Sequence, residues 1–357
     1  VSDKTEGDLL LKINGIEFGG WEAVHVHRSM EEITGAFGIA TNNFFDTNPA
    51  GWKIKIGDIC VATIRDDIVA TGFVEGMPII YDEDNEFIQI VGRDNTGDLV
   101  DCPFEGSANE WKKQTVKNII TNICKPFGIS VTVDKTASSS TSKIVPTFKV
   151  QEGVSCFEMI AELCNDYSIL PLSYGDGKLT LTRARTTEIA KDSIEVGNNA
   201  SSGDVHQSNE DRYSEYIVKG TGVGDDNKSL KDFVSPFGKA KDSLVSRTRP
   251  KVIFSEGITD SGRCRDRAKW ESNLRAGHSR SVTYTVNEWV QSNGKVWEIN
   301  TLARVKDITL DIDGTMLIWS LDFVYNEELG TVTKISLVDK DTYSLNATPQ
   351  NIKLGFD

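Results

Sequence analysis

Leu317-Ile-Trp-Ser-Leu-Asp-Phe-Val-Tyr325 is the stretch on which the fold turns. Leu317, Trp319, Leu321, Phe323 and Tyr325 alternate with their neighbours, the period of two that a half-buried strand requires. Upstream, Val282, Tyr284 and Val286 alternate in the same way. Near the start of the chain, Val24, Val26 and Arg28 alternate with His25 and His27. Short apolar runs at Ile59–Ile64, Ile68–Val74 and Phe87–Val91 are separated by Asp66-Asp67, Gly76-Met77-Pro78 and the acidic turn 82–85. Strands this short, at this spacing, point to a barrel or a sandwich.

The two β regions resemble each other. Trp52-Lys-Ile54 opens one and Trp297-Glu-Ile299 the other. Tyr81-Asp-Glu-Asp follows the first Trp by 29 residues, and Tyr325-Asn-Glu-Glu follows the second by 28. Each acidic turn leads into a strand that ends near Asp94 or Asp339. Two unrelated β-meanders would show a similarly sparse likeness. The other reading is a duplicated barrel within one chain, which lets a trimer present six similar surfaces around its axis.

Between these regions the period changes. Ser107-Ala-Asn-Glu110 matches a capping box, so a helix is expected to start there and to carry Val116, Ile119, Ile120 and Ile123 on one face. Pro126 and Gly128 stop it. Ile129–Val133 reads as a strand and Thr136–Ser142 as a polar loop. A second box, Ser155-Cys-Phe-Glu158, starts a helix with Phe157, Ile160, Ala161 and Cys164 on one face. A hairpin around Gly175-Asp-Gly177 leads into the strand Lys178–Thr182. Residues 186–260 read as loose, with a polar run Gly203–Asn209 and a charged loop to about Pro250; a helix with Cys264, Ala268 and Trp270 follows. Lys340–Asp357 carries no packing signal. The expected fold is β-rich α+β: a first tube-type barrel at 1–102, an α/β module at 103–185 and an irregular, helical connecting module at 186–277. The strands of a second tube-type barrel follow at 278–342, with a tail at 343–357.

Composition narrows the function classes. Of 357 residues, 38% are hydrophobic and 26% charged, enough apolar content to bury cores. No stretch reaches the roughly 18 apolar residues of a membrane span, and Val1–Gly20 does not read as a signal peptide. The formal charge of −14 repels phosphate backbones and argues against sequence-reading nucleic-acid binding. Six cysteines (60, 102, 124, 156, 164 and 264) form no CxxC pair and read as reduced and packed.

Candidate chemistry is sparse. His25 and His27 fall on one side of a strand, but a third metal ligand is not in view, and a solvent- or interface-facing pair is the expectation. Gly220-Thr-Gly222-Val-Gly224 lacks the spacing of a nucleotide loop and reads as a turn. Asp307, Asp311 and Asp313-Gly314 fall at a hairpin turn without the closing Glu of a calcium loop. Glu31-Glu32 is an acidic pair of the kind a glycosidase uses, but nothing in the sequence places the two across a cleft. Asn199, Asn227 and Asn346 match the glycosylation pattern without a secretion context. No catalytic, cofactor-binding or metal residue is assigned, and no cofactor is expected.

Several strings in order resemble the baseplate hub proteins of Mu-like contractile phages, the P-type tail proteins. They are Gly92-Arg-Asp-Asn-Thr-Gly-Asp-Leu-Val-Asp-Cys102, Trp111-Lys-Lys-Gln-Thr115 with Cys124-Lys-Pro-Phe-Gly-Ile129, and Phe148-Lys-Val-Gln-Glu-Gly153. Asp176-Gly-Lys-Leu-Thr-Leu-Thr-Arg-Ala184 follows, then Trp270-Glu271 with Arg275-Ala-Gly277, and Gly294-Lys-Val-Trp297 before Gly330-Thr-Val-Thr333. The resemblance runs from about Gly15 to about Thr342. Phe148–Leu181 is also similar to type VI secretion spike proteins. The resemblance implies a non-enzymatic homotrimer in the virion tail, assembled in the host cytoplasm, with two tube-like barrels per chain. Such a ring would adapt a sixfold tail tube to a threefold spike. Its partners would be itself, the spike, tube and baseplate proteins, with genomic DNA passing unbound through the channel and no membrane insertion. The loop 222–250 and the tail after Thr342 match no family string. The competing reading is a tail-associated cell-wall hydrolase or carbohydrate-binding module.

Overall fold

A computed structural model describes residues 9–42, 54–81, 86–220, 235–255 and 260–344. Its organising feature is one long strand, Ile312–Asn326, which contains the stretch quoted first. From Met316 to Asn326 this strand pairs with Gly330–Asp339. On its other side its first half pairs with Thr301–Asp307 and its second half with Ala23–Ser29, from the opposite end of the chain. The sheet therefore forks at this strand. Trp319 lies at the fork, where the ladder to Gly330–Asp339 slips between Ile318 and Ser320. A bulge of this kind bends a strand and increases its twist. Leu317, Leu321 and Phe323 are buried as the alternation requires, whereas Trp319 and Tyr325 are only half-buried against the same core.

Both β regions share one 14-stranded sheet. From the C-terminal side it runs Ala200–Gln207, Arg280–Asn287, Gly330–Asp339 and Ile312–Asn326, and then crosses to Ala23–Ser29. It continues through Ala36–Asn42, Glu86–Asp94, Asp67–Gly76, Ile59–Ile64, Leu9–Ile13 and Ile16–Phe18. Ladder registers show that the two halves are topologically equivalent. Phe37 and Ile39 face Gly92 and Ile90 as Val282 and Tyr284 face Leu337 and Ile335. Gly72 faces Asp94 as Met316 faces Asp339, and Tyr81 faces Glu86 as Tyr325 faces Thr331. The Tyr81–Tyr325 and Asp94–Asp339 correspondences of the sequence repeat are thus present as geometry; Trp52 and residues 82–84 lie outside the described residues. Among the described residues the path is open. Two separate closed barrels are not drawn by these ladders, because the strand Ile312–Asn326 carries the sheet on from one half into the other.

The α/β module has its own core, built on Val116, Ile119, Ile120, Ile123, Met159, Ile160 and Leu163. Its helices are Val116–Cys124 and Cys156–Asp166. The second opens on the expected capping box, Ser155 Oγ accepting from Glu158 N and Glu158 from Ser155 N. Its buried face is Cys156, Met159, Ile160, Leu163 and Cys164, so Phe157 and Ala161 sit at the margin instead of the centre. The first box fails. Glu110–Thr115 is a strand, and the helix begins after it with Thr115 accepting from Asn118 N. Trp111 lies opposite Phe148 with their rings stacked at 6.2 Å, and burying that pair as a ladder outweighs the local cap at Ser107. Thr136–Ser142 is ordered where a loop was expected. Asp134 caps a 3-10 turn and Ser138–Thr141 forms one helical turn, held by side-chain to backbone bonds. The hairpin at Gly175–Gly177 and the strand Lys178–Thr182 stand as read.

Residues 186–260, expected to be irregular, supply strands. Ile194–Glu195 and Ala200–Gln207 join the large sheet, so the polar run after Gly203 is largely a sheet edge. Glu215–Gly220, Phe237–Lys241 and Pro250–Ser255 form a separate three-stranded sheet against the helix Ser261–His278. Apolar content there is low: Tyr216, Val218, Cys264 and Ala268 make a small core. A buried ion pair, Arg212 Nε to Asp242 Oδ2 at 2.6 Å, fixes the register beside it. Residues 221–234 and the tail from 345 lie outside the described residues.

Candidate functional site

The place where the two halves meet is the feature with most chemistry. Phe323 and Val26 face each other there, both buried, and supply the apolar side of the joint. On the opposite face Asp322 lies directly across from His27, with His25 one step along the same side. Asp322 Oδ1 accepts from His25 Nε2 and from His27 Nδ1, each at 2.8 Å, so these bonds require the proton on Nε2 in one ring and on Nδ1 in the other. Burial alone would raise the Asp322 carboxyl. The two imidazole bonds outweigh it and hold the group well below the carboxylate range. His27 is raised above its ordinary 6.5, first by the Asp322 bond and further by Glu32, whose Oε2 lies 3.8 Å away. The two histidines are therefore an interface pair within the chain, serving a carboxylate from the other half.

Directly opposite residues continue this face across six strands: Thr285, Lys334, Asp322, His27, Ala36 and Arg93. His25, Gly38 and Val91 run beside them. Most of these side chains are small or neutral. Arg93 is neutralised by Glu75 at 2.7 Å and by Asp101 at 2.5 Å. One side of the sheet is thus core, and the other is a wall of small and polar side chains on which Arg93 and Asp322 are paired.

Beneath the joint the α/β module is fastened to the first half through buried polar groups. Asp94 accepts from Ser173 Oγ at 2.8 Å and from the backbone N–H of Gly35 and Thr71 at 3.2 Å. Burial raises its carboxyl despite these bonds and the nearby Arg28. Arg28 is buried too, which pulls its guanidinium below the usual value, and it donates to the Ser173 carbonyl. Gly175 has φ +81°, and a Cβ there would lie 1.6 Å from Arg28 Nη2, so only glycine lets the hairpin seat on the guanidinium. Arg28 Nη2 and Trp297 Nε1 are buried without an acceptor among the described residues and border one cleft between the halves.

The remaining sequence candidates do not converge. Glu32 approaches His27, while Glu31 approaches His278 Nε2 at 3.2 Å, so the acidic pair splits between two partners. His278 is lowered by burial and shares a cleft with His206. Asp307 accepts from Tyr284 Oη at 2.8 Å and from the N–H groups of Thr309 and Leu310, a turn-forming role. Asn199 caps its own turn through Ser193 and Glu195. Gly220 ends a strand; Gly222, Gly224, Asn227 and Asn346 lie outside the described residues. All six cysteines are unpaired, and burial raises the Cys60 and Cys124 thiols to about 12 and Cys156 to about 11. Among the described residues no group of three or more His, Cys, Asp or Glu is arranged to hold a metal ion, and no helix is long and apolar enough to cross a membrane. Sequence reading missed Asp322, because a single acid on an alternating strand carries no signal until its cross-strand neighbour is known.

Three family models match successive parts of the chain. Mu phage baseplate assembly protein GpP-like, N-terminal, matches residues 8–94; baseplate hub protein gp44-like, second domain, matches 96–183; and Mu phage baseplate assembly protein GpP, fourth domain, matches 260–346. Baseplate hub protein gp44 of Escherichia phage Mu is 28% identical over 340 residues, 94% of this chain and 88% of that protein. The crystal structure of the 43 kDa tail protein of prophage MuSo2 from Shewanella oneidensis superposes with a TM-score of 0.80 at 30% identity, over 94% of this chain and 99% of that one. This chain belongs to the Mu-type baseplate hub family. The hub fold extends further: the E. coli type VI secretion component c3393 superposes with a TM-score of 0.54 at 8% identity, over 92% of this chain and 76% of that one, a likeness of fold alone. The first two matched spans correspond to the first sheet half and the α/β module, and the third begins at the helix Ser261–His278 of this hub chain. The relatives are structural tail proteins.

Proposed function

We propose that this baseplate hub protein acts as a homotrimeric ring, adapting a sixfold tail tube to a threefold central spike and leaving a channel for DNA. The observation that carries this reading is the equivalence of the two sheet halves. One chain offers two similarly wired surfaces side by side, so three chains offer six. The polar wall supports the channel. Arg93 on it is offset by Glu75 and Asp101, and a chain charge of −14 disfavours holding a phosphate backbone. Residues 1–102 and 278–342 would serve as the two tube-type barrels, closing against neighbouring copies and not each on itself. Residues 103–185 and 186–277 would brace them from outside.

In this role the protein works by geometry and not as an enzyme, within the virion tail after assembly in the host cytoplasm. Its partners are further copies of itself, the spike, and tube and baseplate proteins. Sedimentation equilibrium tests the assembly. The expected mass is about three times the 39.4 kDa chain; a single-chain mass persisting at micromolar concentration contradicts the ring.

A further inference from the structure

The joint inside the chain also specifies the joint between chains. Within one chain the second half of Ile312–Asn326 pairs with Ala23–Ser29. Register equivalence identifies what stands in each of these places in the other half. Ile79 faces Ile88 as Phe323 faces Thr333, so the short strand Ile79–Tyr81 occupies the place of Phe323–Tyr325. Val26 faces Phe37 as Val205 faces Val282, so the strand Ala200–Gln207 occupies the place of Ala23–Ser29. These are the two members of the joint that lack their counterpart. Among the described residues, Ile79–Tyr81 has a strand ladder only to Glu86–Asp94, and Ala200–Gln207 only to Arg280–Asn287, apart from an isolated bridge of Ala200 to Val196 that leaves Gly203–Val205 clear.

Their surfaces agree with an unfilled joint. Phe323 and Val26 are 0% and 1% exposed. The counterpart of Phe323 is open: Ile79 is 48% exposed, and Ile80 and Tyr81 beside it are 68% and 78% exposed, three large apolar side chains on consecutive residues, while Val205, the counterpart of Val26, is half-buried. A bare apolar edge strand invites another strand. We infer that Ile79–Tyr81 of one copy pairs antiparallel with Gly203–Val205 of a second copy of this chain, repeating across the subunit boundary the joint the chain makes within itself. The transferred register sets Ile79 opposite Val205, Ile80 opposite Asp204 and Tyr81 opposite Gly203. Because the two edges belong to different halves, the contact is head-to-tail and closes only as a ring or a filament, never as a twofold dimer.

This rests on the ring reading above but fails separately from it. The first test is Ile79→Cys with Val205→Cys in the full chain, under mild oxidation. Directly opposed residues bring Cα atoms to about 4.5–5.5 Å, within disulfide reach. Non-reducing gels are expected to show two- and three-chain species for the pair, and single chains for either substitution alone or for Val205→Cys with Ile16→Cys at the far end of the sheet. The second test uses charge. Ile80→Asp sets a carboxylate against Asp204 and should weaken association by about tenfold or more; Ile80→Lys should not, and Asp204→Lys should restore the Ile80→Asp variant. An oligomeric wild type with no cross-link and no response to Ile80→Asp overturns this register while the ring stands. A single-chain wild type with no cross-link overturns both.

Discussion

Asp322 ties the two halves together electrostatically at the joint. Its carboxyl is lowered and His27 is raised, so the two linkage signs oppose each other. The His27 contribution is complete below its unfolded value of 6.5 and is lost as pH rises through the higher folded value; the Asp322 contribution is lost only in strong acid. Denaturant unfolding should therefore find wild type gaining on a His27→Gln variant as pH falls from about 8 toward 6.5. Asp322→Asn should cost about 1–2 kcal/mol near neutral pH, since both groups are mostly shielded from water. Equal pH profiles for wild type and His27→Gln would show that the His27–Asp322 bond contributes no stability. A steric counterpart lies in the first half: a Cβ on Gly72 would stand 1.9 Å from the Arg93 carbonyl oxygen. Gly72→Ala is expected to cost about 3 kcal/mol or more by the same measurement.

Among elements, the helix Cys156–Asp166 shows what local chemistry can decide. Its capping box is legible in four residues and forms as written, so Ser155→Ala should cost about 1 kcal/mol in thermal or chemical unfolding. The same pattern at Ser107 misleads, because Trp111 finds Phe148 far along the chain, and a residue-local reading cannot weigh that contact. Ala200–Gln207 fails for a related reason. Six of its eight residues are polar or glycine, and only the ladder to Arg280–Asn287 makes it a strand. The alternating strands were readable because one face of each is core; the edge was not, because among the described residues it has a strand ladder on one side alone. Asp322 shares that fate: its role exists only in the pairing.

For the molecule as a whole, the repeat was legible through Tyr81, Tyr325, Asp94 and Asp339, and the register places them in equivalent positions. What remained hidden was that the halves share one sheet, since a pairing between residues 24–29 and 320–325 depends on folding and not on pattern. A wall of mostly small and neutral side chains on an acidic chain also makes a prediction: the assembled protein should not retard duplex DNA at about 0.15 M salt, and firm retention in a gel shift would contradict the proposed channel. The central claim, a threefold ring built from two equivalent halves per chain, is tested most directly by electron microscopy of the purified full-length protein viewed end-on. A ring with threefold symmetry, six lobes and an open centre is expected; single globular particles or twofold dimers would contradict it.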